Sequence, residues 1–391
     1  MNKITLGSIS SIITGPFGSQ LHVSDYEMTG IPVIMPQNIK DRLVDYSDIA
    51  YISEQNYNRL IRYSVNEKDI IFPRRGDIEK HAFITTNDKM LCGTGCFRVR
   101  ITDKNVYPLF ISMYLNRPET KCWIVSHAVG TNMPNLNTEI ISAIPIDLPE
   151  YDEQVRIADF LQLLDNKINN NTKINNNLLQ MIDTIYQEFV YSSRAKKSEF
   201  KVQNMFKNDL FTLIKSGVKY FTTKTYYATS EVNGINISNG WTITYEDRES
   251  RANMTPSLFS VWFAKMKNSI KHLFLNSEMK EFIYNSILST GFYGLQCTEL
   301  SFEYIASVIH NTNFEKLKDI LSHGATQQGI GDDDLKNIKL LVPSEKLLRD
   351  YHQRTAPLFS LIAKNINENK SLIGLRDYLL PLLMNGQVIV D

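Results

Sequence analysis

Apolar residues recur in alternating steps of four and three at Ile157, Leu161, Leu164, Ile168, Leu178, Ile182, Ile185 and Phe189. Asn171 and Asn175 fill the two places left in that series. The spacing predicts a long helix with a coiled-coil seam interrupted by two polar layers. A second seam follows the same steps through Tyr351, Thr355, Leu358, Ile362, Asn365, Asn369, Leu372, Arg376, Leu379 and Leu383. Antiparallel pairing about the asparagine layers would set Asn171 against Asn369 and Asn175 against Asn365. Buried asparagine pairs cost stability but fix register and orientation. With Ile168, Leu178, Ile362 and Leu372 beside them, these asparagines form the expected helix-pairing set. The plainer alternative makes DNKINNNTKINNN (165–177) a polar linker, but a linker has no reason to return with its seam intact.

The seam belongs to a longer repeat. Gly130–Phe189 aligns on Gly324–Leu383 without a gap, an offset of 194 residues. Each copy runs from a glycine loop through a short apolar strand ending in Pro149 or Pro343 into the long helix. Ahead of the first copy, IPVIMP (31–36) predicts a buried strand and 68–85 predicts two strands joined by a basic turn. GTGCFRVRI (93–101) alternates with the strand period, and 107–116 has helical spacing. Residues 289–295 lie on 93–99 and 302–311 on 107–116, although no second GPFG loop occurs. The fold expected is α+β: two mixed α/β domains separated by two long antiparallel coiled-coil helices, with a pseudo-twofold internal repeat. The segments are 1–150, a helix at 151–195, then 196–345 and a helix at 346–391.

Composition narrows the class. Hydrophobic residues make up 43% and aromatic residues 10%, ordinary values for a globular chain. No apolar run reaches eighteen residues, the start lacks a signal-peptide pattern, and four cysteines are too scattered for a disulfide framework. A cytoplasmic location away from membranes is expected, with Cys92 and Cys96 as buried thiols and no metal site. The 42 basic and 42 acidic residues weigh against nucleic-acid binding, which draws on phosphate neutralisation. Their distribution changes that picture. No acid occurs among Lys215, Lys219 and Lys224 (211–227), nor among Arg251, Lys265, Lys267 and Lys271 (250–277), whereas acids gather at 152–153 and 332–334. A surface divided by sign can bind DNA through one face.

Catalytic patterns are missing. There is no GxxxxGK[ST] phosphate loop, and no Asn/Asp-Pro-Pro-Tyr/Phe tetrad of the kind an amino-methyltransferase uses to grip its base. Glu278-Met279-Lys280 has the tail spacing of a nuclease site without an acidic partner ahead of it, and the seven histidines are dispersed. The residues predict no catalytic role, and binding chemistry remains. Gln37, Asn38, Arg74, Arg75, Lys80, His81, Asn132 and Asn135 are the DNA-binding candidates of the first domain. Lys215, Lys219, Lys224 and Arg251 are those of the second. Arginine reads guanine through two acceptors, and asparagine or glutamine reads adenine through an acceptor and a donor. Each residue could equally cap a turn or carry a solvated charge.

The pattern resembles the specificity subunits of type I restriction–modification enzymes. GPFGSQL (15–21), IPVIMPQNI (31–39) and DIIFPRRGDI (69–78) carry the resemblance. So does the boundary motif of Pro149, Glu153-Gln154, Ile157-Ala158 and Leu161, with LRDYLLPLLMNGQV (375–388) similar to the family's closing helix. The second copy reads PSEKLLRDYHQ where Glu-Gln would stand. The resemblance implies two target-recognition domains, each reading half of a split, asymmetric site in double-stranded DNA. It implies two DNA methyltransferase subunits and restriction motor–nuclease subunits as partners, with S-adenosylmethionine, ATP and Mg on those partners and no cofactor here. Two other classes fit the residues: a non-catalytic repeat scaffold that binds only protein, and the recognition subunit of a related methyltransferase–nuclease system.

Overall fold

A computed structural model describes residues 2–130, 133–194, 199–324 and 328–390. It divides into two compact units, Met1–Asp165 with Leu375–Asp391, and Asn166–Gly374. Two helices of 44 and 40 residues, Tyr151–Arg194 and Glu345–Met384, each contribute one part to either unit. Units defined by packing therefore differ from segments defined by sequence order, because each core needs the apolar seam of a helix to close it.

In the first unit, an antiparallel sheet runs in the order Ala82–Phe83, Ile70–Pro73, Cys96–Ile101, Ser10–Thr14. A second sheet runs Tyr26–Glu27, Ala50–Ile52, Ile31–Ile34, Met90–Cys92, Ser64–Val65, with its central pair parallel. A ribbon pairs Asn2–Thr5 with Pro145–Leu148. The apolar faces of the first sheet and of helix Pro108–Leu115 bury Phe72, Phe97, Val99, Phe110 and Leu115 in one core. Pro108 opens that helix because a first-turn residue has no N–H partner to lose. Ile157, Ala158 and Leu161 of one long helix and Leu380, Leu383 and Met384 of the other enter the same core.

Gln154 explains the boundary motif. It is 1% exposed, accepts from the Tyr107 amide at 2.8 Å, and donates to the carbonyls of Pro149 (2.9 Å) and Asn105 (3.2 Å). The side chain thus satisfies backbone groups where the helix leaves the globular layer. In the second copy the matching residue is Leu348, buried in an apolar cluster, so the polar tie is replaced by packing.

The second unit repeats the strand order of the first, except that the edge strand Tyr26–Glu27 has no counterpart among the described residues. Its antiparallel sheet runs His272–Leu275, Ser260–Ala264, Phe292–Cys297, Phe211–Leu213. Its other sheet runs Trp241–Ile243, Lys224–Tyr227, Ser286–Ser289, Ala252–Met254, again with the central pair parallel. Phe200–Asn204 pairs with Lys339–Pro343 as the matching ribbon, and Val232–Asn233 with Asn236–Ile237 as the match of the Ile39–Lys40 and Leu43–Val44 hairpin. The repeat therefore reaches the front of the unit, where the sequences have no common GPFG signature.

Within the second unit the two long helices run antiparallel. Asn171 donates to Asn369 Oδ1 at 2.9 Å, and Asn365 donates to Asn175 Oδ1 at 2.8 Å. Asn369 also reaches the Ile168 carbonyl at 3.3 Å. Leu178 and Ile362 are buried beside these layers, and Leu372 is half-buried. No described helix is long and apolar enough to cross a membrane.

Candidate nucleic-acid interface

One end of the first unit gathers several loops around the C-terminal ends of its parallel strands. The backbone of Gly15 lies so close to Gly93 that an added Cβ would stand 2.1 Å from the Gly93 carbonyl oxygen. Gly95 has a φ of +82° and packs on Pro36, a conformation that favours glycine. The Gly95 carbonyl accepts from the Arg74 amide at 2.7 Å, and the Arg74 carbonyl accepts from the Leu136 amide at 2.9 Å. Arg74 Nε donates to Asn135 Oδ1 at 3.3 Å, and Arg75 forms a bridge with Asn135 while its side chain stays exposed. Gln37, at the end of the Ile31–Ile34 strand, is exposed in this loop cluster. The arrangement offers a guanidinium, an amide and a second guanidinium on a rigid turn.

The same backbone frame recurs in the second unit with other side chains. The Lys265 amide donates to Gly291 at 2.9 Å, and the Lys265 carbonyl accepts from Ile330 at 3.0 Å. Met266 bridges to Gly329 as Arg75 does to Asn135. Lys265 Nζ lies 4.3 Å from the centre of the Tyr293 ring, and burial holds its ammonium below the ordinary value. Lys267 Nζ donates to Gln328 Oε1 at 3.0 Å. Lys265, Lys267 and Gln328 were not among the sequence candidates. The only signal for the two lysines was membership of the acid-free stretch 250–277, which does not say which lysine sits on the turn, and nothing singled out Gln328.

Residues 1–180 match the type I restriction modification DNA specificity domain. The specificity subunit of the type I restriction enzyme HindI from Haemophilus influenzae is 20% identical over 361 residues, covering 72% of this chain and 78% of that protein. The MjaIX specificity subunit from Methanocaldococcus jannaschii is 22% identical over 291 residues, 67% of this chain and 65% of that one. The crystal structure of a type I restriction–modification S subunit from M. genitalium has the same fold, with a TM-score of 0.56 at 15% identity over 98% of this chain and 95% of that one. Residues 1–180 carry a type I restriction modification DNA specificity domain, and most of the chain is similar to type I specificity subunits.

Burial sorts the candidates. Two do not reach the surface. Asn38 is 2% exposed, its Oδ1 accepting from the Met35 amide at 3.0 Å and its Nδ2 donating to the Asp45 carbonyl at 3.1 Å. It caps a turn. His81 is 1% exposed, with Nε2 3.0 Å from Ser112 Oγ, and burial brings its pKa down to about 3. Both corrections have one cause: a polar side chain satisfies a buried group as readily as a base edge. Lys80 is half-buried and paired with Asp77 at 2.5 Å. Asn132 lies outside the described residues.

In the second unit, Lys215, Lys219 and Arg251 are exposed. Lys224 is tied to the Tyr284 carbonyl and lies 4.2 Å from the Tyr284 ring centre. Glu278 of the nuclease-like triplet accepts from Ser360 at 3.0 Å and faces Lys364 at 3.5 Å, as a tie to the long helix. Among the described residues no three His, Cys, Asp or Glu side chains gather to hold a metal ion. Cys92 and Cys96 are buried free thiols, and burial pushes Cys92 up to about 12.

Proposed function

We propose that this specificity subunit reads a bipartite, asymmetric DNA target, each unit recognising one half through the basic turn and its neighbouring loops. The observation that carries the reading is the pair of turns at Arg74–Arg75 and Lys265–Lys267: one backbone frame bearing different donors. Directed bonds to base edges depend on side-chain identity, whereas phosphate contacts need only charge. A frame held constant while its side chains change therefore suits two different half-sites. The 42 positive and 42 negative charges fit a subunit that binds DNA as part of an assembly, with partners supplying much of the phosphate contact.

The same reading assigns the long helices to docking two DNA methyltransferase subunits, with restriction motor–nuclease subunits joining them in the cytoplasm. Methyl transfer and cleavage then belong to those partners, with S-adenosylmethionine, ATP and Mg bound there. The test is an exchange. Replacing residues 1–150 with the matching domain of a relative, and sequencing methylated sites in cells carrying the assembled enzyme, should change one half-site and leave the other unchanged. Simultaneous change of both halves would defeat the modular reading. DNA binding by the assembled complex at two salt concentrations separates it from a scaffold that binds only protein.

A further inference from the structure

The second unit holds a cleft of about 510 Å³ whose walls include Lys219, Tyr220, Phe221, Thr222, Tyr245 and Glu246. Phe221 is the unusual member, with a relative exposure of 105%. An aromatic ring left wholly in water gains nothing from the core, and aromatic rings otherwise dominate buried contacts. The wall behind it is fixed. Tyr220 is 8% exposed, its hydroxyl donates to the Thr244 carbonyl at 2.8 Å, and its ring stands edge-on to Tyr245 at 5.6 Å. Arg248 lies 4.4 Å from the Tyr245 ring centre and donates to the Tyr245 carbonyl at 3.2 Å.

The chemistry of the cleft matches one ligand class. Aromatic rings supply faces for stacking, the Thr222 hydroxyl can donate or accept, and the Glu246 carboxylate can accept from an exocyclic amino group. Lys215 and Lys219 are exposed on the acid-free segment 211–227 and can meet phosphates on either side. The first unit has a parallel feature. Met28 stands three residues before the strand Ile31–Ile34, as Phe221 stands three before Lys224–Tyr227, and Met28 is 92% exposed. Methionine and phenylalanine are both side chains that enter opened base steps.

We propose that the cleft takes one unstacked nucleobase of the bound DNA, stacked on Phe221, with Lys215 and Lys219 at the flanking phosphates. This rests on the DNA-reading function proposed above. The test uses the specificity subunit assembled with its methyltransferase subunits and duplexes carrying 2-aminopurine at successive positions of the target. Binding should raise the fluorescence at one position in or beside the half-site read by the second unit. Phe221→Ala should abolish that signal and weaken binding by about 5- to 150-fold, while Phe221→Trp retains both. Specific binding with no fluorescence change at any position overturns the cleft assignment and leaves the DNA-reading function standing. Absence of specific binding by the unaltered complex overturns that function and the inference with it. A Phe221→Ala complex that binds DNA normally but loses methyltransferase subunits assigns the cleft to protein contact and also overturns the proposal.

Discussion

Asn365 donates its side-chain amide to Asn175 Oδ1 at 2.8 Å between two helices whose surrounding seam is apolar. Asn175 is wholly buried and Asn365 is 8% exposed. Replacing Asn175 alone by leucine strands a buried amide, which costs about 1–3 kcal/mol. Replacing both by leucine should recover that loss or exceed it, since an apolar pair suits the seam. Urea denaturation of the two single variants and the double variant measures the coupling. Additive losses would mean that the pair is not an interacting unit.

Asp165 faces two arginines of the first unit. It pairs with Arg42 and accepts from Arg376 at 2.9 Å, while Arg42 also reaches Ser112 at 3.1 Å and Gln162 at 3.2 Å. The Arg42 and Asp165 side chains are only 10% and 13% exposed. Asp165→Ala leaves Arg42 buried without its counter-charge and should cost about 3–5 kcal/mol. Arg376→Ala should cost about 1 kcal/mol, because that side chain is 25% exposed and also pairs with Asp377. Equal losses in thermal unfolding would contradict this ranking.

His81 gives the first unit a pH dependence. Burial lowers its pKa from 6.5 to about 3, so the folded unit keeps it neutral. The unfolded chain takes up a proton below pH 6.5, which makes unfolding easier as pH falls from 6.5 towards 3. Between pH 6.5 and 5 the loss is about 2 kcal/mol from this group. His81→Gln, compared with the unaltered protein by denaturation across that window, should show a shallower slope. An unchanged slope would place the titration elsewhere.

The two turns should act on different halves of the target. Arg75→Ala should weaken specific binding by about 1–3 kcal/mol and relax one position of the first half-site if the side chain reads guanine. It should lower affinity for all sequences and reduce the salt slope by about 1 if it holds a phosphate. Lys267→Ala should act in the same manner on the second half-site only. Binding of the assembled complex to half-site mutants decides between these outcomes, and no change at either residue would place the turns away from DNA.

The long helices and their asparagine layers were legible because a seam is a local code. Residues three and four apart share a helix face whatever lies beyond it, so Ile157 to Phe189 and Tyr351 to Leu383 declare their buried sides in one dimension. The recurrence 194 residues later followed from the same periodicity. Pairing of Asn171 with Asn369 and Asn175 with Asn365 needed only the added premise of antiparallel direction.

The front halves of the two units were not legible as repeats. IPVI (31–34) and KTYY (224–227) share no residue type, yet each forms one strand of the parallel pair inside its sheet. A sheet ladder is made by backbone groups that every non-proline residue carries, so a frame can persist after its side chains have changed. The candidate residues divided for a related reason. Asn38 and Asn135 offer identical amides, but one is enclosed by the Met35 and Asp45 backbone and the other stands beside an exposed arginine. The sequence by itself determined the helices, their register and the duplication of the halves that carry them, because those are written in local spacing. Only the tertiary structure decided which polar groups face water, because burial depends on what the rest of the chain places over them.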